Sequence, residues 1–228
     1  MAMIAPNQTL TYRPLDKSIS EFRLLRLHPT NNFSNSIRCD LEYASLNDPP
    51  SYSALSYQWG DPNNKINISV GRKRFAATRN LAAALRNLRS RGCVLVWADA
   101  ICINQNDHPE RGDQVTQMAA IYTCAAHVDA WLGDDEELQE TVFPSIENIF
   151  RHLYAQQWKG REGNNTYSSL PDRRHIASLP RLFEQSYWRR VWIIQELAFG
   201  GEITLICGSK TLPMQYLETT INAVYTPA

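Results

Sequence analysis

Asp99 and Glu196 are the two carboxylates in this chain best placed to do chemistry. Asp99 follows a short apolar run, residues 94–98, that reads as a buried strand. A carboxylate at the carboxyl end of such a strand needs partners. It can orient a ligand such as a ribose, position a second acid, or tie down its own loop by accepting backbone N–H bonds. Glu196 sits in the stretch QEL, within a helix expected over residues 187–199. Its plainest role there is a solvated glutamate paired with Arg189 or Arg190. Tyr57 and Trp59 close the strand expected over residues 52–59 and can stack on a planar ring, or in the case of Tyr57 simply pack the core. Gly60 begins the turn that follows. Asn104, Gln105 and Asp107 form a polar loop beside Asp99, able to hydrogen-bond a ligand or to shape the loop and cap the next helix. Arg111 and Gln114, on the first turns of that helix, can reach a pyrophosphate at its N-terminus or remain on a solvated face.

Other chemistries are poorly supported. Cys102 and His108 are of the right types for a nucleophile and its base, but nothing in the sequence places them in contact. No two Cys or His residues have finger-like spacing, so no metal site is expected. There is no GxGxxG and no P-loop signature, which argues against an ordinary dinucleotide dehydrogenase or NTPase. Lys plus Arg equals Asp plus Glu, 23 each. That balance gives no general drive toward nucleic acid or an anionic membrane, and Arg189–Arg190 beside Trp188 is a slight footprint for nucleic acid. No apolar stretch approaches the roughly 20 residues of a membrane span. Five scattered cysteines, with no secretory signal peptide ahead of them, argue for reduced thiols in a cytoplasmic protein.

The elements that must hold these residues follow from periodicity. Residues 1–20 are polar and read as an arm. Strands are expected over residues 21–28 and 37–43, then over 52–59, with a hairpin formed by 66–70 and 74–76 around Gly71. Thr78 or Asn80 can cap a helix that buries Leu81, Ala84, Leu85 and Leu88 and ends near Gly92. Residues 94–133 then form the organising unit: strand, polar loop, a helix over 110–124 opened by Pro109, and a second strand stopping at Gly133. Such a strand–helix–strand unit is long enough for a right-handed parallel crossover. Helix is expected from about residue 134 to Trp158, a surface loop over 159–172, a short helix over 176–183, the helix over 187–199, a strand over 202–207 and a last helix over 213–225. Alternation of this kind argues for a sheet with a parallel core covered on both faces, with ligands bound beyond the carboxyl ends of its strands.

Three blocks resemble the fungal heterokaryon-incompatibility (HET) domain: YSALSYQWGD at residues 52–61, the long middle block at 96–133, and YWRRVWIIQELAFGGEITLICG at 187–208. The resemblance implies one HET domain over residues 21–228, preceded by the arm at 1–20 and carrying an insertion at about 134–184. In the family this domain is usually the N-terminal part of a larger protein, and it triggers regulated cell death when non-self is sensed. HET domains in turn resemble Toll/interleukin-1-receptor (TIR) domains. That implies a TIR-like, flavodoxin-like, mostly parallel α/β sheet flanked by helices, with extra N-terminal strands. Many TIR domains cleave NAD at the nicotinamide–ribose bond with the glutamate that falls here at Glu196. The resemblance therefore implies NAD+ as substrate rather than cofactor, with Glu196 and Asp99 as the catalytic acids. Tyr57, Trp59, Gly60, Asn104, Gln105, Arg111 and Trp188 would shape the pocket. Self-association and an upstream sensor protein are expected partners by the same analogy. The alternative is a non-catalytic module that oligomerises, with Trp188 and Trp192 as interface anchors, and recruits a death effector.

Overall fold

The computed structural model describes residues 10–161 and 173–225. Most of the loop expected over 159–172, and the first nine residues of the arm, lie outside the described residues. The chain separates into two compact units. The first comprises Met1–Trp131 with Val191–Glu202, and the second Leu132–Arg190 with Ile203–Ala228.

The first unit is built on a mixed sheet. Its strands are β1 (Glu21–Leu27), β2 (Arg38–Ser45), β3 (Ser53–Tyr57), β4 (Lys65–Val70), β5 (Lys73–Thr78), β6 (Leu95–Trp97) and β7 (His127–Gly133), of which Leu132 and Gly133 are assigned to the second unit. They lie in the order β5-β4-β2-β1-β6-β3-β7. The expected parallel core is β6-β3-β7, with β3 in the middle and in register with β7 from Ser53↔His127 to Tyr57↔Trp131. Every residue of β3 is buried, as a central strand covered on both faces must be. The sheet is mixed rather than mostly parallel, because the N-terminal strands add antiparallel pairings: β1 with β2 and with β6, and β4 with β5. β2 and β4 pair in parallel.

Helix α1 (Arg79–Ser90) buries Leu81, Ala84, Leu85 and Leu88 as the spacing predicts. Thr78 caps it by accepting from the Leu81 amide at 3.3 Å. Asn80 is not a cap; its side chain is used elsewhere. After β6 the chain makes a single helical turn, α2 (Asp99–Cys102), where only a loop is expected. Two of its terminal carbonyls are taken by distant side chains: Ile101 by the Tyr12 hydroxyl at 2.9 Å and Cys102 by Arg23 at 3.0 Å. These bonds satisfy acceptors that a free helix end leaves open. Helix α3 (His108–Cys124) opens with Asp107 as its N-cap, which accepts from the Glu110 amide at 3.0 Å.

The second unit contains α4 (Phe143–Arg161), the short helices α5 (Arg173–Ser178) and α6 (Pro180–Phe183), and the hairpin of β8 (Glu202–Cys207), of which Glu202 is assigned to the first unit, with β9 (Lys210–Pro213). Pro180 splits the helix expected over 176–183 by starting α6 afresh. The helix expected over 187–199 is also broken. Ser186–Arg189 is a 3-10 turn and Arg190 is extended. Regular helix, α7 (Ile193–Ala198), resumes only in the first unit. The Trp188 indole donates back to the Leu182 carbonyl at 2.8 Å, while Val191 and Ile194 are exposed, so a continuous helix has no single face to bury. The last helix, α8 (Met214–Tyr225), packs on α4, where Tyr216 stacks on Phe150 with ring centroids 3.9 Å apart.

Candidate active site

The site grows from the end of β3. Alternation along Ser53–Tyr57 sends Ser56 and Tyr57 to opposite faces. Both are buried. The Ser56 hydroxyl donates to Oε2 of Glu196, which α7 carries in the same unit and which is 2 % exposed. The solvated glutamate is thereby excluded: Glu196 is a buried acid against the central strand.

Beyond Tyr57 the chain turns sharply. Gly60 has φ +79°, and a side chain there would bring its Cβ within 3.2 Å of the Asn80 Cβ. Asn80 holds this turn from α1. It donates to the Gln58 carbonyl at 2.5 Å and accepts from the Trp131 indole at 2.8 Å, so it couples the ends of β3 and β7. The turn presents Trp59, whose indole N–H donates to Oδ2 of Asp99 at 2.8 Å. The other Asp99 oxygen accepts from the Ala100 amide at 2.7 Å, and its carbonyl accepts from the Gln105 side chain at 2.9 Å. Asp99 therefore ties down its own turn and also fixes an aromatic side chain.

Burial pushes the Asp99 carboxyl above the ordinary aspartate range, and the nearby charge of Glu196 adds to that rise. The Trp59 indole, the Tyr57 hydroxyl and the Ala100 amide oppose it. A buried carboxyl perturbed in this way by a second acid is where acid–base or electrostatic chemistry is to be sought.

A pocket of about 960 Å³ opens at Tyr57 and Trp59, entirely within the first unit. Tyr57, Trp59, Gly60, Asn104 and Gln105 all line it. Glu196 and Asp99 are not on its wall; Asp99 meets it through Trp59, and Glu196 is held by Ser56, on the opposite face of β3 from Tyr57. Arg111 is not on the wall either, and it instead contacts the ring of His108 at 2.9 Å. Trp188 belongs to the second unit, with its ring against Phe183 and Tyr187.

The sequence did not point to three contributors. The arm supplies Leu10 and Tyr12 to the wall, and the β4–β5 hairpin supplies Phe75, Lys65 and Arg74. Behind the Asn104 loop lies a buried ion pair. Arg23, fully buried on β1, makes two bonds to Glu110 at 2.7 and 2.9 Å, and Glu110 accepts from the Asn104 amide at 2.8 Å. The signal available was the charged residue in the apolar run FRLL, since a cation there demands a partner.

Other chemistry finds little support. Cys102 is fully buried, and burial pushes its thiol up to about 12, which keeps it protonated. None of the five cysteines is paired. Among the described residues no group of three or more His, Cys, Asp or Glu could hold a metal ion, and no helix is long and apolar enough to cross a membrane.

A model of the family described as "Heterokaryon incompatibility protein (HET)" matches residues 52–196, from the residue before β3 to Glu196 itself. Heterokaryon incompatibility protein 6, OR allele, of Neurospora crassa is 30% identical over 239 residues, covering 87% of this chain and 35% of the relative. The chain thus spans about a third of the curated relative it matches. No solved structure matches it.

Proposed function

The chain belongs to the heterokaryon-incompatibility (HET) family, and from that premise we propose that its first unit is an NAD+ hydrolase whose activity drives cell death in fungal non-self recognition. The observation that carries this reading is a pocket large enough for a nucleotide, lined by Tyr57 and Trp59, with the Trp59 indole bonded to a buried Asp99 that lies under the charge of Glu196.

Nicotinamide is a cationic leaving group, so its departure needs no strong acid. It leaves positive charge on the ribose, in an oxocarbenium-like state. A ribose seated at Trp59 is separated by that side chain from Asp99, a carboxyl whose ionisation burial and the charge of Glu196 disfavour. Positive charge developing there relieves that repulsion, so the attraction is stronger in the transition state than in the bound substrate. Glu196, fixed by Ser56, supplies charge without having to rearrange. Water then adds to the ribose carbon, yielding ADP-ribose. Asp99, with its raised pKa, is suited to take the proton that water loses. The aromatic side chains hold the rings, and Asn104 and Gln105 offer amides to the hydroxyls.

Chromatography of NAD+ after incubation with concentrated protein tests this. Wild type is expected to produce nicotinamide, and Glu196→Gln to do so roughly 100-fold more slowly or less, the scale on which one preorganised stabilising group acts.

A second reading, a self-associating module that recruits a death effector, draws on one observation. Around α7, Val191 is 77 % exposed, Ile194 68 % and Phe199 49 %, with Trp192 beside them. Exposed apolar side chains this dense mark interaction surfaces. Consumption of no NAD+ in any assembly state, with Val191→Asp abolishing oligomers, favours that module over the enzyme.

A further inference from the structure

The hairpin side of the pocket carries a chemistry that the carboxyls and aromatic side chains leave unexplained. In the β4–β5 register, Lys65 faces Thr78, Asn67 faces Ala76 and Ser69 faces Arg74. The two-residue period puts these on one face of the hairpin. Lys65, Asn67 and Arg74 from that face line the pocket, and no Asp or Glu does. Among the described residues neither Lys65 nor Arg74 makes an ion pair or side-chain hydrogen bond, and both are exposed. The bias extends along the chain. Between Asp61 and Asp99 there are eight Lys or Arg and no Asp or Glu, in a protein whose charges otherwise balance. A cleft lined by one sign of charge concentrates ligands of the other.

We propose that Lys65 and Arg74 bind the diphosphate of a nucleoside-diphosphate-containing ligand whose ring system lies toward Trp59. The two positions are roughly 13 Å apart along the hairpin, at about 3.3 Å per residue, with Asn67 between them. Side chains of this length can reach a group of diphosphate size from either end of that gap, and Arg74 can engage it through two parallel N–H donors. Arg111, the arginine that sequence spacing nominates for this task, lies off the wall. The proposal rests on the nucleotide reading of this pocket but not on bond cleavage.

Calorimetric titration of the purified whole chain with ADP, adenosine and inorganic pyrophosphate tests it. ADP is expected to bind at least ~10-fold more tightly than adenosine, a gap typical of charge-assisted phosphate contacts, and to weaken as salt rises. Pyrophosphate should compete with ADP. The double variant Lys65→Ala/Arg74→Ala should bind ADP and adenosine alike, while Lys65→Arg retains the preference. Equal affinity of the wild type for ADP and adenosine overturns the proposal, as does undiminished ADP binding by the double variant, or no binding at all. The outcomes separate it from the hydrolase. If ADP binds through these residues but NAD+ is never cleaved, the hydrolase falls and this site stands. If the double variant cleaves NAD+ with unchanged KM, this site falls and the hydrolase stands.

Discussion

The two sides of the pocket are built on opposite principles. On the side formed by the ends of β3 and β6, almost every polar group is engaged: Asp99 by Trp59 and Ala100, Gln58 by Asn80, and the Asn104 amide by Glu110, which Arg23 holds in turn. On the hairpin side, Lys65 and Arg74 are exposed, and among the described residues their side chains make no ion pair or hydrogen bond. Saturated networks rigidify and preorganise. Exposed cations add little to folding, and their charge remains available to a ligand. The contrast predicts that substitutions on the first side act mainly on stability and geometry, and those on the second mainly on binding.

The largest expected effect is at Arg23. Removing it strands the mostly buried Glu110, frees the Cys102 carbonyl and loosens the Asn104 loop. Arg23→Leu should cost about 3–5 kcal/mol, the usual penalty for breaking a buried pair, read as a lower urea midpoint. A loss near zero would remove the ion pair from the rigid wall. Next is Asn80→Ala, which leaves the Gln58 carbonyl and the Trp131 indole without their partner, at about 1–3 kcal/mol. The same measurement applies, and shifted Trp131 emission should accompany it.

Asp99 gives a smaller, pH-dependent effect. Its folded pKa is raised, so its contribution to stability is complete below the unfolded aspartate value and is lost as pH rises through the folded value. Asp99→Asn keeps an acceptor for Trp59 without the buried charge. Its Tm should exceed the wild type's at neutral pH, and the gap should close on acidification. A gap that widens toward acid would reverse the sign assigned here. The smallest effect falls on the hairpin. Lys65→Ala and Arg74→Ala should each change stability by no more than about 0.5 kcal/mol, as exposed substitutions do. A much larger loss would show that these cations are structural, and the contrast between the two sides would disappear.

How far the sequence revealed the site follows the same division. The parallel core was legible because its strands are short apolar runs ending in turn signals, and α1 because its apolar spacing and Thr78 cap are local. Tyr57, Trp59, Gly60, Asn104 and Gln105 were legible as pocket residues because they follow the carboxyl ends of core strands. Lys65 and Arg74 were not. A hairpin can be read from Gly71 and alternation, but where β4 docks depends on its pairing with β2, which no local pattern encodes. Tyr12 was hidden for a related reason: its polar segment looks like a tail until the Ile101 carbonyl gives it a partner. Arg111 misled because a helix N-terminus attracts anions wherever it lies, and spacing cannot say that this arginine misses the cavity. The break before α7 escaped because residues 187–199 satisfy helical spacing while Val191 and Ile194 lie outside the core.

The hydrolase is tested most directly by following free nicotinamide released from NAD+ by the concentrated, oligomerised protein, with Glu196→Gln and Ser56→Ala run beside the wild type and ADP binding measured on each as proof of an intact pocket. Steady release is expected from the wild type, with a loss of roughly 100-fold or more in Glu196→Gln, a smaller loss in Ser56→Ala, and ADP binding retained by all of them. Equal release by wild type and Glu196→Gln, or none by a wild type that binds ADP, would contradict the hydrolase.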